Sequence, residues 1–579
     1  MRHATPLLTF DSELLLRRTL ESIPGLLVWG TLVGLTVLAF TQPLLVAVFL
    51  IFYDFYWLVR ALHVATNLIA SYRTLRRMRG TDWIARLQLL DDPRRALEVV
   101  DARIRDVERQ VAETSGSERQ RSGKTLRQEL LFRNDLLRLR RPDDQWPTDV
   151  PRWTDILHVV ILPTYKEPLL LLTQSLDALA AAIYPKERLW VIVALEERAG
   201  EHAAVVQRAL EARYKNTFGR FLTTVHPDGI PGERQVKSAN ASYAARVVQQ
   251  LLDAGGIPYE QVLISNFDAD TVPSPEYFGV LTYTYLVTAD RLRCSYQPLP
   301  LYHNNIWEAP AFTRVISTNS TFWILIQFAR SERMVTYSSH AMPFRALVDA
   351  GFWDPTVVSE DSRIFWQAYV HYQGAYRTVP MDATVSMDVT CAPTLVQTFI
   401  NQYKQKRRWA WGIENFPFIA KAFLQRSAIP VRERFLRAGA MLEAWHSWAT
   451  AALILAFLGW IPVLFGNVEF QRTVLAFNLP RVTRTLLTIG MVGLILNATL
   501  SLLLLPPAPP GTPRRRYLWM VFQWVLTPII TSVLGALPAV DAQTRLLLGT
   551  YLGFWVTPKV RVEPMRVRAP LLTTAVSRR

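Results

Sequence analysis

Hydrophobic residues are gathered into a few long runs instead of being spread evenly along the chain. Ile23–Phe40 is uncharged and apolar, Thr41-Gln42-Pro43 interrupts it, and Leu44–Val59 resumes with Asp54 as its only charge. The two runs predict a tight helical hairpin across a bilayer, the second helix continuing past Arg60 to about Ala70. Arginines flank the hairpin on both sides, at Arg17-Arg18 and from Arg73 to Arg79, so both ends are expected in the cytoplasm. Three further uncharged runs follow late in the chain: Ala444–Val468, Leu486–Pro510 and Tyr517–Val540. Beyond Val540 the tail carries Arg545, Lys559, Arg561, Arg566, Arg568, Arg578 and Arg579 against Asp541 and Glu563. That excess of positive charge places the tail in the cytoplasm. The first two late runs are therefore expected to form a second spanning hairpin. The third, broken at Pro528, is expected to dip in and return or to lie along the interface. Four crossings result, with five as the alternative.

Between the hairpins the pattern changes period. Thr81–Arg141 is rich in arginine with spaced Leu, Ile and Val, which predicts amphipathic helices interrupted by a polar linker, Thr114–Lys124. A disordered basic tether is the other reading. From Asp155 to about Val389 strand-like and helix-like segments alternate. Ile156–Leu162, Leu189–Leu195, Phe221–Val225 and Val262–Ser265 read as strands, with helices after Pro168, after Arg198 and from Lys237. This βαβα order predicts an α/β domain with a mainly parallel sheet covered on both faces. Ligands of such sheets sit beyond the carboxyl ends of the strands. The expected division is 1–70, 71–154, 155–390, 391–437 and 438–579: hairpin, cytoplasmic helices, catalytic domain, interfacial helices and C-terminal membrane region.

Composition sharpens this picture. Half of the 579 residues are hydrophobic and the net charge is +16. Much of the positive charge flanks the apolar runs, including Arg514-Arg515-Arg516, so membrane lipids are its expected partner; no nucleic-acid motif competes. Two cysteines, Cys294 and Cys391, do not make a disulfide framework and fit a reducing compartment. No cleavable signal peptide is evident.

Three motifs carry chemistry. Asp268-Ala269-Asp270 follows the fourth strand, and on extended backbone its two carboxylates point the same way. Adjacent carboxylates repel unless a cation lies near, and their hard oxygens suit Mg²⁺ or Mn²⁺; a simple turn is the alternative. Glu360-Asp361 precedes a helix expected over Ser362–Tyr372, where Asp361 is either a helix cap or a general base. Gln405, Arg408 and Trp409 share one face of a helix, and Lys406 and Arg407 point elsewhere, toward lipid headgroups. Arg408 offers a bidentate grip on a diphosphate and Trp409 a flat surface for a sugar ring; a basic aromatic interfacial helix is the alternative. Lys237, at a helix start, meets phosphate, anchors the acids or is simply exposed. Tyr296-Gln297-Pro298, His303-Asn304-Asn305 and Tyr337-Ser338-Ser339-His340 are polar loops that either line the cleft or cover surface.

The series Pro163-Thr164-Tyr165-Lys166-Glu167, Asp268-Ala269-Asp270, Glu360-Asp361 and Gln405-X-X-Arg408-Trp409 resembles membrane-embedded family 2 glycosyltransferases, the cellulose and hyaluronan synthase class. Phe554-Trp555-Val556-Thr557-Pro558-Lys559 is similar to the gating loop of cellulose synthases. The resemblance implies a GT-A-type nucleotide-diphospho-sugar transferase domain, with a mixed, mainly parallel sheet, inserted between transmembrane helices. It implies an inverting hexosyltransferase of the prokaryotic plasma membrane, its catalytic domain cytoplasmic. A UDP-sugar is the implied donor, a glycan or lipid the acceptor, and Mg²⁺ or Mn²⁺ the cofactor. Asp361, beside Glu360, would be the base. Asp270 would ligate the metal with Asp268 beside it at the nucleotide, Thr164 with Glu197 or Glu196 would line the uridine pocket, and Glu167 and Lys237 would also belong to the nucleotide-sugar site. Gln405, Arg408 and Trp409 would hold diphosphate and acceptor, and Thr557 and Lys559 would belong to a loop that visits the nucleotide. A processive polysaccharide synthase is the expected function, and a non-processive transferase acting on a lipid is the alternative.

Overall fold

The computed structural model describes residues 10–78, 80–139, 150–425, 428–553 and 555. Thr557 and Lys559 lie outside the described residues. The first two apolar runs form helices Phe10–Thr41 and Pro43–Met78, separated at Gln42, where Pro43 lacks the N–H needed to continue the first helix. The second helix runs beyond the expected Ala70 to Met78. Asp54 is buried between helices and its Oδ2 accepts a hydrogen bond from the Thr483 hydroxyl at 2.8 Å.

The basic stretch after the hairpin is helical and docked. Helices Trp83–Leu90, Pro93–Glu113 and Gly116–Leu139 pack against the α/β domain, so the disordered tether is not what forms. Trp83 lies 5.1 Å from the Tyr283 ring, and the Tyr283 hydroxyl donates to Asp135 at 2.8 Å. The polar linker expected over Thr114–Lys124 shrinks to a break at Thr114 and Ser115. From Gly116 on, its residues have enough helix propensity, and enough apolar anchors downstream at Phe132 and Leu136, to stay helical.

An eight-stranded sheet forms the centre of the soluble part. Its strands are β1 Leu157–Pro163, β2 Leu189–Glu196, β3 Arg220–His226, β4 Val262–Asn266, β5 Val272–Pro273, β6 Cys294–Leu301, β7 Ala341–Pro343 and β8 Arg377–Ser386. They lie in the order β3-β2-β1-β4-β7-β6-β8-β5. The β3-β2-β1-β4 half is parallel, β7 runs antiparallel to both neighbours, and β6 pairs parallel with β8. β1, β2 and β4 are buried throughout, which is why they read as continuous apolar runs. Helices Leu169–Ala180, Glu201–Tyr214 and Tyr277–Val287 cover one face; Lys237–Ala254, Phe344–Asp349 and Glu360–His371 cover the other. The sheet therefore has the mixed, mostly parallel GT-A form, with its β1 and β4 carboxyl ends opening toward one cleft.

The C-terminal region differs in detail from the sequence pattern. The run Ala444–Val468 falls in Val431–Ala456 and Leu458–Phe465, two pieces bent by 42°. Leu486–Pro510 falls in a single apolar stretch, Val474–Leu504. Tyr517–Val540 lies in a continuous helical stretch, Arg515–Leu548, that does not turn back at Pro528. Pro528 sits in the first turn of Thr527–Ile530, where its missing N–H is tolerated, flanked by 3-10 residues Gln523–Leu526 and π-helical residues Thr531–Ala536. Four described helices are long and apolar enough to cross a membrane: Ser12–Thr41, Pro43–Arg76, Val474–Leu504 and Arg515–Leu548.

The last of these keeps contact with the soluble part along its length. The Tyr517 ring lies 5.5 Å from Trp307, Gln523 accepts from Arg314 at 2.8 Å, Trp524 stacks on Phe322 at 5.9 Å, and Asp541 pairs with Arg407 at 2.9 Å. Its other face exposes Leu518, Trp519, Phe522, Val525 and Ile529. Its C-terminal end packs closely on the first helix: a β-carbon at Gly25 would lie 2.7 Å from Leu547 Cβ and 2.8 Å from the Gln543 carbonyl oxygen.

Candidate active site

The carboxyl ends of β1, β2 and β4 deliver the first set of residues. The Thr164 hydroxyl, just past β1, donates to Glu167 Oε2 at 2.7 Å, and the Tyr165 N–H donates to the same oxygen at 2.7 Å. Past β2, Glu196 receives Arg198, whose guanidinium lies 4.2 Å over the Tyr165 ring. Glu197 accepts the Asp228 N–H at 2.9 Å. Thr164, Glu167, Glu196 and Glu197 thus form one wall.

Asp268-Ala269-Asp270 is a turn, not the extended segment expected, closed by the Thr271 N–H on the Asp268 carbonyl at 2.9 Å. The two carboxylates consequently take different partners. Asp268 faces Lys237 Nζ at 2.6 Å and the Ser338 hydroxyl at 2.6 Å. Asp270 is buried, and its Oδ2 accepts the Asp388 N–H at 2.9 Å. Asn304 joins the two segments, donating to the Asp270 carbonyl at 2.9 Å and to Asp388 Oδ1 at 2.8 Å.

Lys237 is the centre of charge. It is buried at the start of its helix, not exposed, with Glu360 Oε1 at 3.2 Å and Asp361 Oδ1 at 4.0 Å in addition to Asp268. Burial opposes its charge, but the carboxylates of Asp268, Asp361 and Glu360 outweigh that effect and raise its pKa. Burial likewise pushes Glu360 and Asp361 above the ordinary carboxylate range; Asp361 adds to the effect on Glu360, while Lys237 and Arg408 pull both down. Asp361 lies in the first turn behind the N-cap Ser359, so it is not itself the cap. Its Oδ1 is buried without a hydrogen-bond donor, 3.7 Å from His340 Nδ1. His340 Nδ1 is also 3.0 Å from the Tyr337 carbonyl, and burial lowers its pKa to about 4, which keeps the imidazole neutral.

Helix Leu395–Ala410 brings the third motif alongside. Gln405 Oε1 accepts from Thr390 at 2.9 Å and Gln402 at 3.0 Å. Arg408 is close enough to Glu360 and Asp361 to hold their pKa values down. Lys406 and Arg407 take partners within the protein instead of lipid headgroups, and Lys406 shares the surroundings of Trp409. Lys406 lies 4.6 Å over the Trp409 ring and 5.7 Å from that of Trp448, where burial lowers its pKa to about 8; Arg407 pairs with Asp541. Trp555 packs against the same helix, with Lys404 Nζ 5.3 Å from its ring.

The structure thus gathers Asp268, Asp270, Lys237, Glu360, Asp361 and Arg408 in one cleft. Among the described residues no three His, Cys, Asp or Glu side chains converge as a metal cage. The donor set available is the hard carboxylate oxygen pair of the Asp268–Asp270 turn, which suits a cation that draws its other ligands from phosphate and water. Gln297, expected in a polar loop, lies in the buried strand β6, and with Asn304 and Ser338 it braces the cleft. Gln297 Oε1 accepts the Tyr337 N–H at 2.8 Å, and Ser339 sits at φ 63°, a backbone conformation that turns Ser338 and His340 inward.

Residues 263–537, a little under half of the chain, match the family model described as glycosyl transferase family group 2. With the mixed, mostly parallel sheet described above, this makes the chain similar to family 2 glycosyltransferases over that stretch. No curated protein matches the sequence. Among solved structures, the chain is similar to the mannosyltransferase PcManGT from Pyrobaculum calidifontis, in complex with GDP-Man and Mn²⁺. The identity is 20%, covering 64% of this chain and 94% of that one, with a TM-score of 0.37. It is also similar to S. aureus TarS in complex with UDP-GlcNAc, at 12% identity over 68% of this chain and 93% of that one, with a TM-score of 0.32.

Proposed function

We propose that this protein is a membrane glycosyltransferase that transfers a sugar from a UDP-sugar with inversion, forming a β-glycosidic bond, and that it extends a polysaccharide processively. The observation that carries the reading is the convergence of Asp268, Glu360 and Asp361 within 4.0 Å of the Lys237 ammonium group. Asp361, raised in pKa and short of hydrogen-bond donors, is the proton acceptor for the incoming hydroxyl. Arg408 and Gln405 hold the diphosphate, Trp409 the acceptor sugar, and Thr164, Glu167, Glu196 and Glu197 the uridine side of the cleft. Thr557 and Lys559 complete the nucleotide contacts in this reading. Asp270, with Asp268, would hold Mg²⁺ or Mn²⁺, whose charge offsets that of the departing diphosphate. Lys237 pulls the pKa of Asp361 down against the effect of burial and fixes the spacing of Asp268 and Asp361.

In this reading the first hairpin, the bent pair Val431–Phe465 and the stretch Val474–Leu504 cross a prokaryotic plasma membrane, and Arg515–Leu548 lies along its cytoplasmic face. A second reading, transfer to a lipid, is favoured by one observation. Leu395, Val396, Phe399 and Ile400 are exposed apolar residues on the helix that carries Gln405 and Arg408, which would set an acceptor site at bilayer level. Purified protein incubated with a panel of labelled nucleotide sugars and Mg²⁺ or Mn²⁺ tests both. High polymer supports the first reading, a single lipid-soluble product the second, and no nucleotide release from any donor removes both.

A further inference from the structure

Glu414 closes the short 3-10 turn Trp411–Glu414 that follows Trp409. Both oxygens of its carboxylate are occupied, and one of them by another segment. Oε1 accepts the Val358 N–H at 3.1 Å, the Ser359 N–H at 2.9 Å and the Ser359 hydroxyl at 2.6 Å; Oε2 accepts Trp411 Nε1 at 2.8 Å. Asn415 Nδ2 donates to Ser362 Oγ at 2.9 Å. Val358, Ser359 and Ser362 are the residues on either side of Glu360 and Asp361. The N-cap Ser359 makes no side-chain capping bond of its own. A carboxylate from a distant segment therefore satisfies the backbone donors leading into this helix and places a negative charge at its positive end. The charge is balanced by buried Arg363, which lies 3.8 Å from Asp354 and 4.2 Å over the Phe418 ring, and whose pKa burial lowers while Glu414 and Asp354 raise it.

We infer that Glu414, assisted by Asn415, is a positioning residue: it clips the start of the Glu360-Asp361 helix to the helix of Gln405, Arg408 and Trp409, so that proton acceptor and diphosphate site are held at one spacing. The inference rests on the reading of Asp361 as the base. The two motifs lie on separate helices, and the contacts of Glu414 and Asn415 run directly from the end of one to the start of the other. Charge-assisted hydrogen bonds are the stronger kind, and a carboxylate that accepts four of them sets geometry more firmly than an apolar contact. A purely structural residue at this place changes how much protein folds; a positioning residue changes turnover in the protein that does fold.

The test uses the full chain in detergent or nanodiscs, with Glu414→Gln as the main variant and Asn415→Ala as the second. For Glu414→Gln, kcat is expected to fall about tenfold or more, because a small misplacement of a reacting group is costly. KM for the donor is expected to stay within about twofold, since the donor wall is untouched. Amide hydrogen exchange in peptides covering 356–364 is expected to quicken. Wild-type kcat or unchanged exchange in that segment overturns the inference. Should Glu414→Gln not accumulate as folded protein, Asn415→Ala is read the same way. If wild-type protein releases nucleotide from no donor, the functional reading fails; the exchange measurement still judges the clip, and unchanged exchange overturns it.

Discussion

Replacing Lys237 by Met removes one positive charge from the middle of three carboxylates and leaves a side chain of similar length. At an effective dielectric constant of about 20, the contacts at 2.6, 3.2 and 4.0 Å are worth about 6, 5 and 4 kcal/mol of gross attraction. Desolvation of four charged groups offsets most of that sum, and truncating one partner of such a buried set costs about 3–5 kcal/mol. The pH dependence separates this cause from loss of packing. Lys237 has a raised pKa, so its contribution is fully present below the unfolded value of about 10.4 and is lost only as pH rises through the still higher folded value. Between pH 5 and 8 Lys237 itself stays charged, so any change in the gap over that range comes from the carboxylates around it. In the variant, Glu360 and Asp361 lose the cation that pulls them down, so their folded pKa values rise further above the unfolded carboxylate values of about 4. The native state then holds protons that the unfolded state has released. The deficit is full above those folded values and shrinks as pH falls toward 4. Thermal unfolding of wild type and Lys237→Met in the same detergent, at pH 8 and pH 5, is the assay. A large gap at pH 8 that narrows at pH 5 is expected. A gap under about 1 kcal/mol at pH 8, or one that does not narrow, refutes the charge-centre argument.

Three further outcomes follow from the same geometry. Asp361 must be ionised to accept a proton, and burial raises its pKa, so turnover should climb with pH along a limb centred above the ordinary aspartate value of about 3.9; Asp361→Asn should keep donor binding and lose about 10²–10⁴-fold in kcat, measured as nucleotide release. Asp270→Asn should weaken donor binding measured with Mg²⁺ or Mn²⁺ and leave binding in chelator unchanged; equal loss in both conditions would remove the metal role. Gly25→Val should separate the first helix from Gln543 and Leu547 and destabilise the protein by about 1–3 kcal/mol, read as a lower unfolding midpoint, whereas Gly30→Val, where a β-carbon meets nothing within 4 Å, should not.

What the sequence made legible is what local physics determines. β1 to β4 fall within about a residue of their expected bounds: β1, β2 and β4 are buried apolar runs, and β3, largely half-buried, is a short run rich in β-branched and aromatic residues. The hairpin break at Thr41-Gln42-Pro43 was equally readable, since a polar pair followed by proline interrupts two long apolar runs, whereas Pro24 and Pro480 stay inside helices. The second half of the sheet was not. β6, β7 and β8 pair in mixed directions across long connections, and nothing local distinguishes a short buried strand such as Ala341–Pro343 from a loop. The same limit applies to the site. Asp268, Asp270, Glu360, Asp361 and Arg408 announce themselves by spacing, yet their partners Ser338, Asn304, Asp388 and Glu414 come from distant segments and look like any polar residue. Lys237 shows the difference most clearly: its position at a helix start was readable, but its burial among three acids depends on contacts 31, 123 and 124 residues along the chain.

The helical stretch Arg515–Leu548 shows how hydropathy and contacts answer different questions. By length and composition it qualifies to cross a bilayer as well as Ser12–Thr41 does. A crossing helix, however, leaves the soluble domain within a few turns, whereas partners from the soluble part meet this one at Tyr517, Gln523, Trp524 and Asp541. At about 1.5 Å per residue those contacts extend over about 36 Å, longer than the hydrocarbon thickness of about 30 Å that a crossing would have to span. The side chains between them divide into a face that packs on the protein, with Met520, Trp524, Ile530 and Leu534 buried, and a face that exposes Leu518, Trp519, Val525 and Ile529. A one-sided apolar helix pinned at both ends to a soluble domain is suited to lie in the interface, its greasy face in the bilayer. Under the proposed function that position would keep Asp541 beside Arg407 and carry the chain to Trp555 on the same side of the membrane as the acidic cleft, in line with the positive charge of the tail.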